Sequence, residues 1–247
     1  MNAKWLPALA VPALLLGSTA ASGAAASQGV INSHRWAGYE AVANGSTVQS
    51  FQYVQATFTV PGLNCAQTST ASATQAVVLA ESSFARYVGN WAETAVVESC
   101  QNGSPAYSAY GAYNSSSDCS GSAPLPVAVS PGDDVELTLD SGLTSTIHDL
   151  TTGVTRSTTS ERGSCAILTT AAVFTSGSPV ADFTQAAFHQ IQVEASGQST
   201  PQPLVHSGWS VNKYVLKGSS GRADVKPEAL LSGTYTSAFV NDWLAPN

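Results

Sequence analysis

The sequence predicts an all-β protein, either a sandwich or a barrel. Short runs rich in Val, Thr, Tyr and Phe recur about every ten residues between clusters of turn residues. Helix signals are nearly absent. Many runs alternate polar and apolar residues, which places one side of each strand against a partner sheet and the other side in water.

Four segments carry the clearest strand signals. Residues 51–60 alternate and stop at Pro61-Gly62. Residues 135–139 alternate after a turn at Ser130-Pro131-Gly132-Asp133, and residues 145–157 read as a hairpin with its turn at Thr151-Thr152-Gly153. Residues 188–193 alternate as well. The short loops and the lack of a repeat predict one domain.

The first 26 residues have the composition of an export signal. Lys4 precedes an apolar run over 6–16, and Ala24-Ala25-Ala26 offers a cleavage site. The run is shorter than the roughly 20 residues that span a bilayer, which disfavours the alternative of an uncleaved anchor. We therefore expect a secreted protein with a signal peptide over 1–26, one domain over 27–247 and no membrane contact after cleavage.

Charge and motifs exclude several classes of function. Only 10% of the residues are charged, the net charge is −7, and nine Lys and Arg are scattered along the chain. These residues cannot form a phosphate-binding stripe, so nucleic acid is not an expected partner. The sequence has no nucleophile elbow of the G-x-S-x-G kind, no phosphate loop and no dinucleotide fingerprint, so we expect no cofactor. We expect a monomer.

An even number of cysteines in an exported chain favours disulfides over metal. The four cysteines allow three pairings, of which we favour Cys65–Cys100 and Cys119–Cys165. A zinc site is the alternative, but the sequence has no C-x-x-C spacing and its four histidines are far apart. We therefore expect no bound metal.

Three carboxylates fall close together in a stretch with little other charge. They are Glu81, Glu93 and Glu98. Two neighbouring carboxylates can act as an acid and base pair, as in glycosidases and aspartic peptidases. The alternative is that all three are solvated charges on a polar face, and spacing alone favours that alternative.

Several motifs in order resemble the glutamic peptidases, the eqolisin family or peptidase G1, once grouped as A4. The matching segments are His34-Arg35-Trp36-Ala37-Gly38-Tyr39, Phe58-Thr59-Val60-Pro61, Pro105-Ala106-Tyr107-Ser108-Ala109-Tyr110, Pro131-Gly132-Asp133, Asp149-Leu150-Thr151-Thr152-Gly153 and Val180-Ala181-Asp182-Phe183. The resemblance runs from about residue 36 to residue 193. It implies a sandwich of two curved antiparallel sheets, concanavalin-like or jelly-roll-like, with a groove for extended polypeptide.

The resemblance also implies endopeptidase activity at acidic pH, with a glutamate as general base and a glutamine that stabilises the oxyanion. Neither residue is kept. Glu93 stands where the family has its glutamine, and residues 170–175 (Thr-Ala-Ala-Val-Phe-Thr) lack the glutamates of the family's A-E-W-I-x-E segment. No Asp or Glu lies between Glu161 and Asp182, so a shift of a few residues does not restore the base.

The sequence therefore predicts a secreted protein with a polypeptide-binding groove that lacks the family's activity. Candidate groove residues are Trp36, Glu81, Trp91, Glu93 and Tyr110. The two tryptophans have a core role as their alternative. One other hypothesis is an active acid endopeptidase with a rearranged site, in which Glu93 works with Glu81 or Glu98 as the second carboxylate. Another is a β-sandwich that binds or cleaves carbohydrate.

Overall fold

The structure is a computed structural model. It describes residues 28–66, 74–79, 91–114, 120–159, 169–176, 181–183, 185–218, 220–233 and 236–244. The predicted signal peptide, Glu81, Cys119 and Cys165 lie outside the described residues.

The regular elements of the described chain are seventeen strands. In chain order they are β1 (Gln28–Ser33), β2 (Trp36–Val42), β3 (Phe51–Thr59), β4 (Thr74–Leu79), β5 (Trp91–Gln101), β6 (Ser104–Asn114), β7 (Ser120–Leu125), β8 (Asp134–Asp140), β9 (Thr144–Asp149), β10 (Val154–Thr159), β11 (Thr170–Ser176), β12 (Gln185–Ala195), β13 (Gln202–Pro203), β14 (Ser210–Lys217), β15 (Ala223–Pro227), β16 (Leu231–Ser232) and β17 (Ser237–Trp243).

The strands form two sheets. The front sheet has the order β7–β6–β5–β4–β11–β2–β14–β1. The back sheet has the order β10–β9–β8–β3–β12–β17–β15, with short β13 beside β12 and short β16 beside β17. The pairings are antiparallel except for β1 with β14, and pairing of β14 with β15 links the two sheets. The all-β, two-sheet antiparallel fold is confirmed.

The core lies between the two sheets, where alternate residues of each strand meet. In β8 the side chains of Val135, Leu137 and Leu139 are at most 1% exposed, whereas the residues between them are partly exposed. This period of two is the pattern that the sequence shows. Burying each of these side chains stabilises the fold by about 1.5–3 kcal/mol.

Aromatic rings connect the sheets through the middle of the core. Tyr39 of the front sheet meets Phe239 of the back sheet edge to face, with ring centroids 4.9 Å apart. Phe239 stacks on Phe188 at 4.9 Å, and Phe188 lies 5.7 Å from Phe58. All four rings are at most 3% exposed, so β2 is fixed against the centre of the back sheet.

The β9–β10 hairpin forms as its sequence predicts. The buried Asp149 accepts hydrogen bonds from the backbone amides of Thr151 and Thr152 at 2.9 and 3.0 Å, which folds the turn around its carboxylate. Burial opposes ionisation of Asp149, but the Thr152 hydroxyl and the two amides, which all donate to its carboxylate, hold its pKa below the ordinary value. Gly153 closes the turn with φ of +75°, a conformation that glycine adopts without strain.

Two further links fix the front sheet. A disulfide joins Cys65, just after β3, to Cys100 in β5, which is one of the two pairings that the sequence favours. Asn241 of β17 is fully buried, and its amide donates to Ala37 O at 3.0 Å and to Thr175 Oγ1 at 2.8 Å. These bonds tie the back sheet to both β2 and β11 of the front sheet.

Candidate functional site

The candidate site lies on the outer face of the front sheet, away from the core. In β5 the side chains of Ala92 and Val96 belong to the core, and the buried Thr94 donates from its hydroxyl to Thr138 O of the back sheet at 2.8 Å. Alternation turns Glu93 and Ala95 to the other side. Both are buried without being part of the core cluster. Glu93 is therefore on the outer face.

Glu93 is paired with a tyrosine. It lies in β5 diagonally across from Tyr110 in β6, because Ala95 is the residue directly opposite Tyr110. The Tyr110 hydroxyl donates a hydrogen bond to Glu93 Oε1 over 2.5 Å. Glu93 is 7% exposed, so most of its carboxyl group is withdrawn from water.

Burial raises the pKa of Glu93 above its ordinary value. The hydrogen bond from Tyr110 and the positive charge of Arg35 act in the opposite direction but do not cancel the effect of burial. Burial and the adjacent carboxylate in turn raise the pKa of Tyr110, so its hydroxyl remains a proton donor. A protonated Glu93 has a carbonyl oxygen that accepts from Tyr110 and an O–H that can donate, like a glutamine amide.

Strand β11 carries no carboxylate on its outer face. Thr170, Ala172 and Phe174 occupy that face, while Ala171, Val173 and Thr175 point into the core. Thr175 is the residue that the motif comparison places at the family's catalytic glutamate. Its hydroxyl accepts the bond from Asn241 and lies between the sheets, so neither side of the strand supplies a base next to Glu93.

An aromatic cluster covers the outer face where β11 meets β2 and β14. Phe174 stacks on Trp36 with centroids 5.6 Å apart and meets Tyr214 edge to face at 5.0 Å. Gly38 makes room for Phe174, since a Cβ built on it would lie 3.0 Å from the ring and 2.1 Å from Val173 O. The structure thus places the predicted groove residue Trp36 on the outer face, where the Arg35 guanidinium lies 5.0 Å from the ring centroid.

A second carboxylate shares this face. Glu40 of β2 is 8% exposed, and its Oε2 accepts from the Tyr214 hydroxyl at 2.8 Å and from Asn212 Nδ2 at 3.3 Å. Our sequence reasoning did not identify Glu40. Its spacing of four residues from Trp36 in an extended strand places both on one side, and that spacing was the available signal.

Glu98 does not stand beside Glu93. The two side chains lie five residues apart in β5 and point to opposite faces, and the structure buries Glu98 completely on the inner face. Neither oxygen of Glu98 has a hydrogen-bond partner among the described residues. Burial raises its pKa well above the ordinary value. The expectation that Glu98 supplies the second acid of a rearranged site is therefore wrong.

Two other predicted site residues lie wholly or partly outside the described part of the chain. Glu81 lies outside the described residues. Trp91 begins β5, but its side chain is outside the described part of the chain. The structure thus brings together Trp36, Glu93 and Tyr110 on one sheet face, together with the unpredicted Glu40, Phe174 and Tyr214.

No three residues among His, Cys, Asp and Glu in the described part of the chain come together in a way that could hold a metal ion. No helix in the described ranges has the length and hydropathy needed to cross a bilayer.

The outer face of the back sheet has a different, strongly polar surface. Glu194, Tyr53 and Asp140 lie side by side on three neighbouring strands. They line a shallow cavity of about 340 Å³ together with Gln52, Ser141, Gly142 and Pro201. Burial and the surrounding carboxylates raise the pKa of Tyr53 to about 12. No residue that the sequence singles out for function lies in this cavity.

The fold and the outer face together define an antiparallel two-sheet sandwich with a carboxylate and aromatic side chains on one sheet. The sequence profile of the Peptidase A4 family matches residues 34–213, more than half of the chain. This chain belongs to the Peptidase A4 family, the glutamic peptidases that its motifs resemble. No curated protein sequence matches it.

Solved structures of the same family share the fold. Scytalido-glutamic peptidase with a peptide-based transition state analog has a TM-score of 0.62 and 18% sequence identity, over 85% of this chain and 98% of that chain. SCP-B, a member of the eqolisin family in complex with the tripeptide Ala-Ile-His, has a TM-score of 0.60 and 17% identity over the same shares. At this level of identity the similarity establishes the fold alone. The function of the site depends on the residues that this chain places there.

Proposed function

We propose that this protein binds extended polypeptide on the outer face of its front sheet and lacks efficient endopeptidase activity. The observation that carries the proposal concerns Glu93, whose side-chain partner among the described residues is the hydroxyl of Tyr110. Peptide hydrolysis through water needs a base that removes a proton as the water attacks. A tyrosine with a raised pKa does not serve as that base at acidic pH.

Polypeptide is the proposed ligand because the fold is that of peptide-binding relatives. One solved relative holds a peptide-based transition state analog and another holds a tripeptide. The outer face here offers what an extended chain needs, namely aromatic side chains at Trp36 and Tyr214 and hydrogen-bonding groups at Glu93 and Glu40. Such a mixed surface suits side chains of a bound strand better than a flat apolar patch.

Secretion is part of the same proposal. The N-terminal 26 residues have the composition of an export signal. The Cys65–Cys100 disulfide fits an oxidising compartment outside the cytosol. The ligand is then a polypeptide or another polymer met outside the cell.

The test uses purified protein and fluorescently labelled denatured casein between pH 2 and pH 7. We expect saturable binding without sustained release of fragments. Turnover that continues over many cycles and is abolished by Glu93→Ala would overturn the proposal in favour of the rearranged acid endopeptidase. Glu136→Ala is the matched control, because Glu136 lies on the back sheet and bonds Gln55 there.

A separate arm measures binding to insoluble polysaccharides. Retention on a polysaccharide together with no binding of casein would show that the protein binds carbohydrate and not polypeptide. Absence of binding to both would reject the proposed function outright.

A further inference from the structure

The outer face of the front sheet holds two carboxylates that are bonded in the same way. Glu93 accepts from the hydroxyl of Tyr110, and Glu40 accepts from the hydroxyl of Tyr214. Both are more than nine-tenths buried. Among the described residues their side-chain donors are uncharged. An ionised carboxylate has about four acceptor positions, so these donors leave room for a cationic one.

Strand pairing fixes where the two carboxylates lie. Gly38, Phe174, Val78 and Ala95 are paired in one row across β2, β11, β4 and β5. Two residues further along in the same direction, Glu40 pairs with Ala172, and Glu93 lies two residues from Ala95 in β5. Three strand intervals of about 4.8 Å separate Glu40 from Glu93, or about 14 Å between their backbones.

We propose that this face selects extended polypeptides that carry two basic side chains four residues apart, one bound at Glu40 and the other at Glu93; this specificity rests on the proposed polypeptide-binding function. In an extended chain, residues i and i+4 point to the same side and lie about 13–14 Å apart. A peptide that crosses the strands of the front sheet therefore brings both of its basic groups to a carboxylate.

Charge complementarity supports a basic ligand over a neutral one. A mostly buried carboxylate with neutral donors gains a charge-assisted hydrogen bond when a lysine or arginine approaches. The positive charge of Arg35 acts on Glu93, but Arg35 is exposed and lies over Trp36. The net charge of −7 also attracts basic peptides at long range.

The aromatic cluster supplies the second part of the site. Long basic side chains pack their methylene stems on apolar surface while the charged end reaches its partner. The partly exposed rings of Trp36 and Tyr214 lie beside Glu40 on the same face. Ala172, with its small side chain, is the β11 residue next to Glu40 on the side towards Glu93.

The experiment measures binding of three short synthetic peptides to the wild-type protein at pH 7.5 and low salt. One has lysines at i and i+4, the second has the same composition with lysines at i and i+3, and the third has glutamine at both positions. We expect the first to bind at least about tenfold more tightly than the second, and the third to bind most weakly. Added salt should weaken the first peptide's binding most.

Variants then assign the two positions. Glu40→Gln and Glu93→Gln keep the tyrosine hydrogen bond to a side-chain oxygen while removing the charge. Each should reduce binding of the i and i+4 peptide to the level of the i and i+3 peptide, and Glu136→Gln on the back sheet should leave it unchanged. Thermal unfolding of each variant checks that it folds, and the peptide series on the wild-type protein gives a result that no variant's folding affects.

The outcomes separate this inference from the proposed function. Equal binding of all three peptides would reject the basic specificity and leave polypeptide binding intact. Failure of the three peptides and of denatured casein to bind would reject both.

Discussion

The hydroxyl of Tyr110 and Oε1 of Glu93 are 2.5 Å apart, and this hydrogen bond crosses from β6 to β5 on the outer face of the front sheet. It gives the buried carboxylate a donor in place of solvent. The bond also explains how an acid is tolerated at this buried position.

Tyr110→Phe should destabilise the protein by about 1–3 kcal/mol at neutral pH, because it removes a donor from a buried carboxylate. The same change should raise the pKa of Glu93 further, since Tyr110 now lowers it. Urea unfolding at pH 7 and pH 3 measures the effect, which should shrink at pH 3 when Glu93 is protonated. Tyr53→Phe is the matched control, because Tyr53 donates over 2.5 Å to the neutral amide oxygen of Gln55. An equal loss at both pH values for Tyr110→Phe would contradict this account.

Glu98 should make the fold less stable as pH rises. Its pKa is raised well above 4.5 in the folded protein by burial, so the folded state holds this proton more tightly than the unfolded state. The stability it contributes is complete below pH 4.5 and is lost as the pH rises from there through the folded-state pKa. Glu98→Gln should therefore unfold at a higher urea concentration than wild type at pH 7 and at a similar one near pH 3.

The control for this prediction is Glu136→Gln, which leaves Glu98 in place and should keep the wild-type decline between pH 3 and pH 7. Equal slopes of unfolding free energy against pH in Glu98→Gln and wild type would show that another group causes the decline.

Gly38→Ala should cost about 2–3 kcal/mol of stability, because the new Cβ meets Val173 O and the ring of Phe174 at a backbone φ of +146°. The near-ultraviolet circular dichroism should change as the contacts of Phe174 with Trp36 and Tyr214 loosen. Gly132→Ala is the control, since Gly132 has φ of +90° with open space around it and should lose only about 1–2 kcal/mol of backbone strain. Equal losses in the two variants would show that the contacts with Val173 O and Phe174 add nothing to the backbone strain.

Replacing Cys65 and Cys100 together by alanine should lower the unfolding free energy by about 4 kcal/mol on a chain-entropy estimate, given the 35 residues that separate them. Urea unfolding with and without a reductant measures the loss. Wild-type protein under reducing conditions should be at least as unstable as the oxidised variant, because the reductant also opens the predicted Cys119–Cys165 bridge. Identical midpoints for the oxidised wild type and the variant would mean that the bridge does not stabilise the fold.

The predictable part of the fold is the part that local pattern determines. Strict alternation specifies β8, and the turn at Thr151-Thr152-Gly153 specifies the β9–β10 hairpin, because a chain segment and its neighbour suffice for both. The Ala-rich β11 has no such pattern. Its identity depends on pairing with β2 and β4, which lie far away in sequence.

The candidate site was only partly predictable for the same reason. Glu93 was found by its position between recognisable motifs. Glu40 belongs to the site because it accepts a hydrogen bond from Tyr214, which is 174 residues away in sequence. The pairing of β14 with β2 brings the two residues together. Closeness in sequence did not reveal that Glu98 lies on the inner face, because polar residues on that side of β5, such as Thr94, break the usual apolar pattern of a core-facing strand.

Among the described residues, the hydrogen bonding between β14 and β15 ties the two layers together along one margin. At the far margin β7 and β10 approach each other without a recorded ladder between them. Thermal fluctuations should therefore separate the two sheets first at the β7–β10 margin. Amide protons of β10 should exchange with deuterated water sooner than those of β14, and a ligand crossing the front sheet should slow that exchange from the free margin inward.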